Sequence, residues 1–248
     1  MTLREWLQQA PYALTMTSGF FGFFAHCGVL SVLEQEDLLP VRVSGSSAGA
    51  LVTGCWAAGL STERLQDTLL HLRRSDFWDV GIGLGLLKGE KFRQLLRDVL
   101  PVQRLEDCAI PAAFSAWELR SRQTRVLKQG PMAESIQASC AFPFLFHPVR
   151  VGERLYLDGG IADRPGLLGM PEGERVLLHH LASRSPWRRK NSPALKTPSR
   201  PNMTALVIQE LPRVGPFRLE EGIRAMEHAM RRTERALEQE IVESNVIV

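Results

Sequence analysis

What this sequence lacks narrows its reading first. Only four of its 248 residues are cysteine, and Cys27, Cys55, Cys108 and Cys140 are too scattered to form a C-x-x-C pair. Neither a zinc ribbon nor a thioredoxin-like motif is therefore supported, and the four read as buried free thiols. No run approaches the roughly 18 to 20 apolar residues that span a bilayer, which restricts any membrane contact to a peripheral one. Met1 to Leu7 carry Arg4 and Glu5 with no cleavable apolar region behind them, so export is not expected. Charge of one sign is scarce as well: 30 Lys and Arg against 27 Asp and Glu leave +3, which is no footprint of a nucleic-acid partner. Internal repeats and abrupt shifts in composition are missing too. A single domain over 1–248 in a reducing, cytoplasmic setting is the expectation, with 44% hydrophobic residues enough to bury a core without staples.

What is present alternates between two periodicities. Tyr12 to Thr17 is a short β-prone run that stops at Ser18-Gly19, and Phe23 to Glu36 then carries apolar residues at helical spacing. Val41 to Ser44 repeats the strand, Gly45 breaks it, and Ala48 to Leu60 repeats the helix. Strands alternating with helices predict an α/β fold with a mostly parallel sheet covered on both faces. Ser61 is placed to cap a helix through Leu72, and Gly89 to open one whose Phe92, Leu95, Leu96, Val99 and Leu100 share a face. Further strands are predicted at Ala112 to Leu119, Thr124 to Leu127, Leu155 to Leu157, Val176 to Leu181 and Ala205 to Ile208. A last helix from about residue 217 aligns Leu219, Ile223, Met226, Met230 and Leu237. Between them, Arg184 to Pro201 holds four prolines and six basic residues with no acidic one, the pattern of a mobile surface loop.

Gly45-Ser46-Ser47-Ala48-Gly49 is G-x-S-x-G between a predicted strand and helix, the context in which the motif lifts a serine hydroxyl above a sheet. Small neighbours leave room for that sharp turn, and the helix behind it aims its first N–H groups at a reacting carbonyl. The plainer reading is a glycine-serine turn with Ser47 as a helix cap. A nucleophilic serine needs a base. Asp158 followed by His179 or His180 imitates the Ser-Asp-His order of α/β-hydrolases. In that fold, however, several strands precede the nucleophile, and here one does, so Asp158 acting alone is the better candidate. Gly81-Ile82-Gly83-Leu84-Gly85 lacks the third glycine of a nucleotide-binding loop and reads as a flexible connection. His147, His179 and His180 show no ligand spacing, so no metal and no cofactor is assigned.

Ala138-Ser139-Cys140-Ala141-Phe142-Pro143-Phe144-Leu145-Phe146, followed by Leu155-Tyr156-Leu157-Asp158-Gly159-Gly160, resembles the second signature block of the patatin-like phospholipases, which ends in D-G-G. Gly45 to Gly49 resembles their nucleophile elbow, His26 to Leu30 the helix after their oxyanion loop, and Leu86 to Pro101 their middle helix. The resemblance spans roughly Thr15 to Ala162. It implies a three-layer α/β/α patatin-like fold and a Ser47–Asp158 dyad with no catalytic histidine, Gly159 and Gly160 keeping the approach to Asp158 open. Oxyanion donors would come from the loop after the first strand. A carboxylate in a dry site can accept the serine proton, worth about 10² to 10⁴-fold. The sequence departs from the family in that loop, where Ser18-Gly19-Phe20-Phe21-Gly22-Phe23-Phe24 replaces a triple glycine with a nearby basic residue. The donors expected there are the amides of Gly19, Phe20, Phe21 and Gly22.

The implied activity is hydrolysis of a lipid or other long-chain acyl ester, with phospholipase, lysophospholipase, lipase and thioesterase all open. Phe20, Phe21, Phe23, Phe24, Phe142, Phe144 and Phe146 cluster around both motif blocks, and some are expected to line an acyl channel. The alternative from another class is a catalytically weak lipid-binding or membrane-associated scaffold on the same fold. The basic stretch at 184–200, with Trp187, is expected to favour anionic bilayers.

Overall fold

The computed structural model of the chain describes residues 1–182 and 196–248. Most of the expected basic loop, residues 184–195 with Trp187, lies outside the described residues.

In chain order the elements are α1 (Leu3–Gln9), β1 (Ala13–Met16), α2 (Phe23–Gln35), β2 (Arg42–Ser46), α3 (Ala48–Ala57), α4 (Thr62–Leu70), β3 (Gly85–Leu87), α5 (Glu90–Val99), β4 (Ala112–Glu118), β5 (Gln123–Leu127), α6 (Met132–Ser139), β6 (Phe144–Phe146), β7 (Val149–Val151), β8 (Arg154–Asp158), β9 (Val176–Leu181), β10 (Met203–Ile208), α7 (Glu221–Leu237) and β11 (Asn245–Ile247). The architecture is α/β, with a mostly parallel central sheet in the order β11-β10-β9-β1-β2-β4-β8-β7 and β5 also paired to β4. The run from β11 to β4 is parallel, whereas β5, β7 and β8 are antiparallel to their neighbours. β9 and β10 are buried at every residue, as interior strands of a parallel sheet are when both faces are covered.

One face carries the main core, in which Leu14, Met16, Val43, Leu177 and Leu206 meet the apolar sides of the helices. On the other, Ala13, Val176, Leu178, Ala205 and Val207 pack with Met170, and two 3-10 turns at Gly159–Ile161 and Leu167–Gly169 lie along this side. The α2–α7 contact is close because small residues allow it. A Cβ at Gly28 would sit 2.4 Å from the Met226 carbonyl oxygen, and one at Gly222 would strike the ring of Phe24. That approach corrects the expected face of the last helix. Its deeply buried positions are Gly222, Ala225, Met226, Ala229, Thr233, Ala236 and Leu237, while Ile223 and Met230 are only half-buried. The helix also starts at Glu221 rather than near residue 217.

Capping behaves as the sequence suggests at Ser61, whose Oγ accepts the Arg64 N–H at 3.3 Å. Gly45 lies within β2 rather than ending it. The stretch expected to be a flexible connection is instead a hairpin. The Lys88 N–H donates to the Asp79 carbonyl at 2.9 Å, the Gly81 N–H to the Leu86 carbonyl at 3.1 Å, and β3 pairs in parallel with β6. Two of the four cysteines, Cys27 and Cys55, are buried, whereas Cys108 and Cys140 are half-buried; all four are free.

The arrangement that matters most lies along one edge of β4. Its first half pairs with β2 up to Ser46↔Ser115, and its second half with β8, beginning at Ala116↔Asp158. β5 pairs with β4 from Phe114 to Glu118, overlapping both, so β2 and β8 share the opposite edge. One is parallel to β4 and the other antiparallel, so their C-terminal ends meet at adjacent rungs.

Candidate active site

At that meeting point the two motif blocks come together. Ser47 follows β2 at φ 53° and ψ −118° and stands at the N-cap of α3. For a serine this is a sparsely populated conformation that costs on the order of 1–3 kcal/mol. The turn is held by close backbone packing that tolerates nothing larger than glycine. A Cβ at Gly45 would lie 2.4 Å from the Ala50 nitrogen, and one at Gly49 would lie 2.0 Å from the Met16 carbonyl oxygen. Two groups from the end of α6 brace it. The Ser47 N–H donates to Ser139 Oγ at 2.9 Å, which itself donates to the Ser115 carbonyl at 2.7 Å. The Cys140 thiol donates to the Ser47 carbonyl at 3.2 Å.

The half-buried Ser47 hydroxyl donates to Asp158 Oδ2 at 2.6 Å, the charge-assisted length for O–H···O⁻. Asp158 is 3% exposed, and its Oδ1 accepts the Gly160 N–H at 2.7 Å. The carboxylate is therefore oriented from both sides. Gly159 and Gly160 are required by crowding: a Cβ at Gly159 would lie 2.0 Å from the Ser115 carbonyl oxygen and one at Gly160 2.3 Å from Ser18 Oγ. Burial and then the neighbouring Asp158 push the Cys140 thiol well above its ordinary range, which disfavours a reactive thiolate there.

The loop from Ser18 to Gly22 borders the same space. Its Ser18 N–H donates to the Arg164 carbonyl at 2.7 Å, and its Gly22 N–H closes a turn onto the Gly19 carbonyl at 2.9 Å. Phe21 takes φ 55°. α2 begins immediately afterwards at Phe23, with Gly22 as its N-cap.

Ser47 and Asp158 open into a cavity of about 920 Å³ lined by both motif blocks, the Ser18–Gly22 loop and apolar side chains of α3, α4 and α5. Of the seven phenylalanines singled out in the sequence, six line it and Phe24 does not; Phe24 is a core residue, 1% exposed. None of the described residues lining it is a histidine. His26 and His179 instead bond each other, Nδ1 to Nδ1 at 2.8 Å, and His26 Nε2 reaches the Thr17 carbonyl at 2.7 Å. That carbonyl requires Nε2 to carry a proton, so His179 Nδ1 is the donor to a neutral His26. Burial lowers His26 to about 3 and His179 well below its ordinary value, which keeps both uncharged.

Sequence reasoning gave no role to Ser139, Asp163 or Arg164. Buried Asp163 accepts from Ser115 Oγ at 2.5 Å and from the Leu167 and Leu168 amides, tying the segment after Asp158 to β4. Desolvation raises its pKa. Buried Arg164 borders the cavity, and its guanidinium donates to the Leu181 carbonyl at 2.6 Å. A charged pair just after D-G-G was the available signal, but an Asp-Arg pair reads equally well as exposed turn.

The sequence profile described as patatin-like phospholipase matches residues 14–169, and the chain belongs to that family. Over 158 residues it is 34% identical to an uncharacterized NTE family protein of Mycobacterium tuberculosis, a match covering 61% of this chain and 43% of the relative. It is 24% identical over 171 residues to the uncharacterized protein YqhO of Bacillus subtilis, covering 55% and 59%. The chain thus spans about half the length of these relatives. Its fold is similar to that of VipD from Legionella pneumophila, with a TM-score of 0.67 at 15% identity over 92% of this chain and 66% of the other.

Proposed function

We propose that this chain hydrolyses fatty acyl esters of lipids through an acyl-enzyme on Ser47, with Asp158 as the general base. The observation that carries the reading is the 2.6 Å bond from Ser47 Oγ to Asp158 Oδ2 at the wall of an apolar cavity. As Oγ attacks the ester carbonyl, its proton passes to Asp158 Oδ2, and the carbonyl oxygen becomes an oxyanion. Collapse of that intermediate breaks the ester bond, and the departing alkoxide takes the proton from Asp158. Water then loses a proton to the same carboxylate, attacks the acyl-serine, and the fatty acid leaves as Ser47 regains its hydrogen.

The oxyanion donors in this reading are the backbone N–H groups of Gly19, Phe20 and Phe21. The Gly22 amide, expected among them, is engaged with Gly19 and serves to shape the turn. Beside them, the first amides of α3 have no partner within their own helix and add the positive end of its dipole. The apolar walls accept the acyl chain, and the source of such a substrate implies peripheral contact with a lipid surface.

A fluorophosphonate probe tests this directly. The wild-type chain should be labelled covalently, and Ser47→Ala should lose both labelling and ester turnover with its melting curve nearly unchanged. Turnover that persists in Ser47→Ala, or a folded wild-type chain that never labels, would overturn it. The second outcome would favour the lipid-binding scaffold, which the altered loop after β1 keeps as the competing reading.

A further inference from the structure

The hairpin from Asp79 to Lys88 has a construction that the reaction does not use. Its residues alternate: Gly81, Gly83 and Gly85 face inward, where a Cβ would meet the Lys88 stem at 2.4 Å, the His147 ring at 2.2 Å and the Phe146 backbone at 2.4 Å. Val80, Ile82, Leu84 and Leu86 face outward and are 59%, 103%, 75% and 46% exposed. Glycine is thus required on one side so that the ribbon can lie flat, and apolar side chains occupy the other. His147 Nε2 donates to the Gly85 carbonyl at 3.0 Å, and the pairing of β3 with β6 anchors it further. Beside it stands Phe144, 87% exposed and directly opposite Gly85 in that pairing. Water-facing apolar residues gathered in this way mark an interaction surface.

Two observations say what that surface meets. First, it is continuous with the cavity mouth: Phe144 and Leu87 belong to the cavity wall, as do Trp78 and Phe217, the latter 69% exposed. Second, the rim is cationic. Arg213 and Arg218 line the mouth, and Arg74 stacks over Trp78 and Phe217 at 5.6 and 4.9 Å from the ring centroids. Among the described residues none of these arginines, nor Lys88, enters an ion pair. Two acidic side chains of this region, Asp79 and Asp76, are already engaged by the backbone. Asp79 accepts the Gly89 and Lys91 amides, and Asp76 accepts the Arg73 amide and the Ser75 hydroxyl.

We infer that this hairpin and Phe144 insert into the surface of an anionic phospholipid bilayer, with Arg74, Arg213 and Arg218 on the headgroup phosphates, setting the cavity mouth against the lipid. The inference rests on the proposed lipid hydrolysis for its purpose and on the exposed ribbon for its location. Apolar side chains at the interface and cations near anionic headgroups add their effects.

Sedimentation with vesicles of phosphatidylcholine alone and of phosphatidylcholine with phosphatidylserine tests it. The wild-type chain should bind the mixed vesicles more tightly. The double variant Ile82→Glu, Leu84→Glu should lose roughly 10²-fold in affinity for them, since two apolar anchors are removed and two charges are placed against the lipid. Neither side chain lines the cavity, so turnover of a soluble short-chain ester should stay within about twofold. Arg213→Gln with Arg218→Gln should weaken binding to the mixed vesicles and leave binding to neutral ones unchanged. Undiminished vesicle binding by the Ile82, Leu84 variant would overturn the inference. So would a wild-type dimer that this variant converts to monomer without a change in vesicle binding, because the patch would then be covered by a second copy. Loss of vesicle binding in a chain that hydrolyses no ester would leave the docking surface standing and defeat the proposed reaction.

Discussion

Replacing Asp158 with Asn changes one acceptor into a donor and little else. The amide oxygen can keep the 2.7 Å bond from the Gly160 N–H that Oδ1 now receives, so the side chain is held as before. That leaves the NH₂ facing Ser47 Oγ at the position of Oδ2, 2.6 Å away, where the hydroxyl needs an acceptor. Ser47 would lose its proposed base without a change in side-chain volume, so the fold should persist. General-base assistance is worth about 10² to 10⁴-fold, which is about 3–5 kcal/mol of barrier. Turnover of a soluble short-chain ester should therefore fall by at least about 10²-fold, and fluorophosphonate labelling of Ser47 should slow in parallel. A short-chain ester is chosen because it does not depend on any lipid surface. The reasoning is refuted if Asp158→Asn retains turnover within about tenfold of wild type, or if His179→Gln, compared per folded molecule, is as inactive as Ser47→Ala.

Other outcomes follow from the same geometry. Burial holds His26 at about 3 against 6.5 when free, so between those values the unfolded chain binds a proton that the folded chain does not. Stability should be complete above pH 6.5 and fall below it by about 1.4 kcal/mol per pH unit for this histidine. His26→Gln should flatten that slope in urea midpoints compared near pH 7 and near pH 5; parallel slopes would show that the pair is not held neutral. Gly49→Ala would place a methyl against the Met16 carbonyl, backbone that cannot swing aside, and should cost at least about 2 kcal/mol by denaturant unfolding. Gly22→Val meets Leu181 Cδ1 at 2.3 Å, the end of a side chain that can move. It should leave the chain folded while displacing the donor loop, lowering turnover by about 10² to 10³-fold; near-normal turnover would put the oxyanion donors elsewhere.

The parallel sheet was legible because β1, α2, β2 and α3 each carry a local signature: a β-prone run, a glycine stop, a helical period. The short pieces were not. β3, β6, β7 and β11 are three residues each, too brief for any periodicity to show. The Gly81 to Leu87 ribbon hid for a different reason. Alternate glycines read as freedom in a sequence, whereas here Gly83 and Gly85 are imposed by His147 and Phe146, contributed from about sixty residues away, and Gly81 lies against the Lys88 stem. The large residues of the last helix mark a face about one position away from the one it buries. Close approach to α2 selected the small ones, Gly222, Ala225 and Ala229, and left Ile223 half-buried. At the site, Ser47 and Asp158 were visible in their motifs. Ser139, Asp163 and Arg164 act through contacts with Ser47, β4 and Leu181, partners that a linear reading cannot supply.

β4 acts as a ruler for the proposed Ser47–Asp158 pair. Ser47 and Asp158 are separated by 111 residues in the chain, yet their spacing is determined by two consecutive rungs, Ser115 and Ala116. Whole helices between the two motifs can lengthen, shrink or be exchanged without altering the reactive geometry, so long as neither pairing slips. The converse is severe. Inserting one residue between Ser115 and Ala116 would separate the two strand ends by about 3.3 Å, more than the length of the hydrogen bond, and would reverse which face of the sheet β8 presents. Variation in what such a chain accepts is thus expected in the excursions that leave and return to β4, and invariance in the strand that carries no reactive group at all.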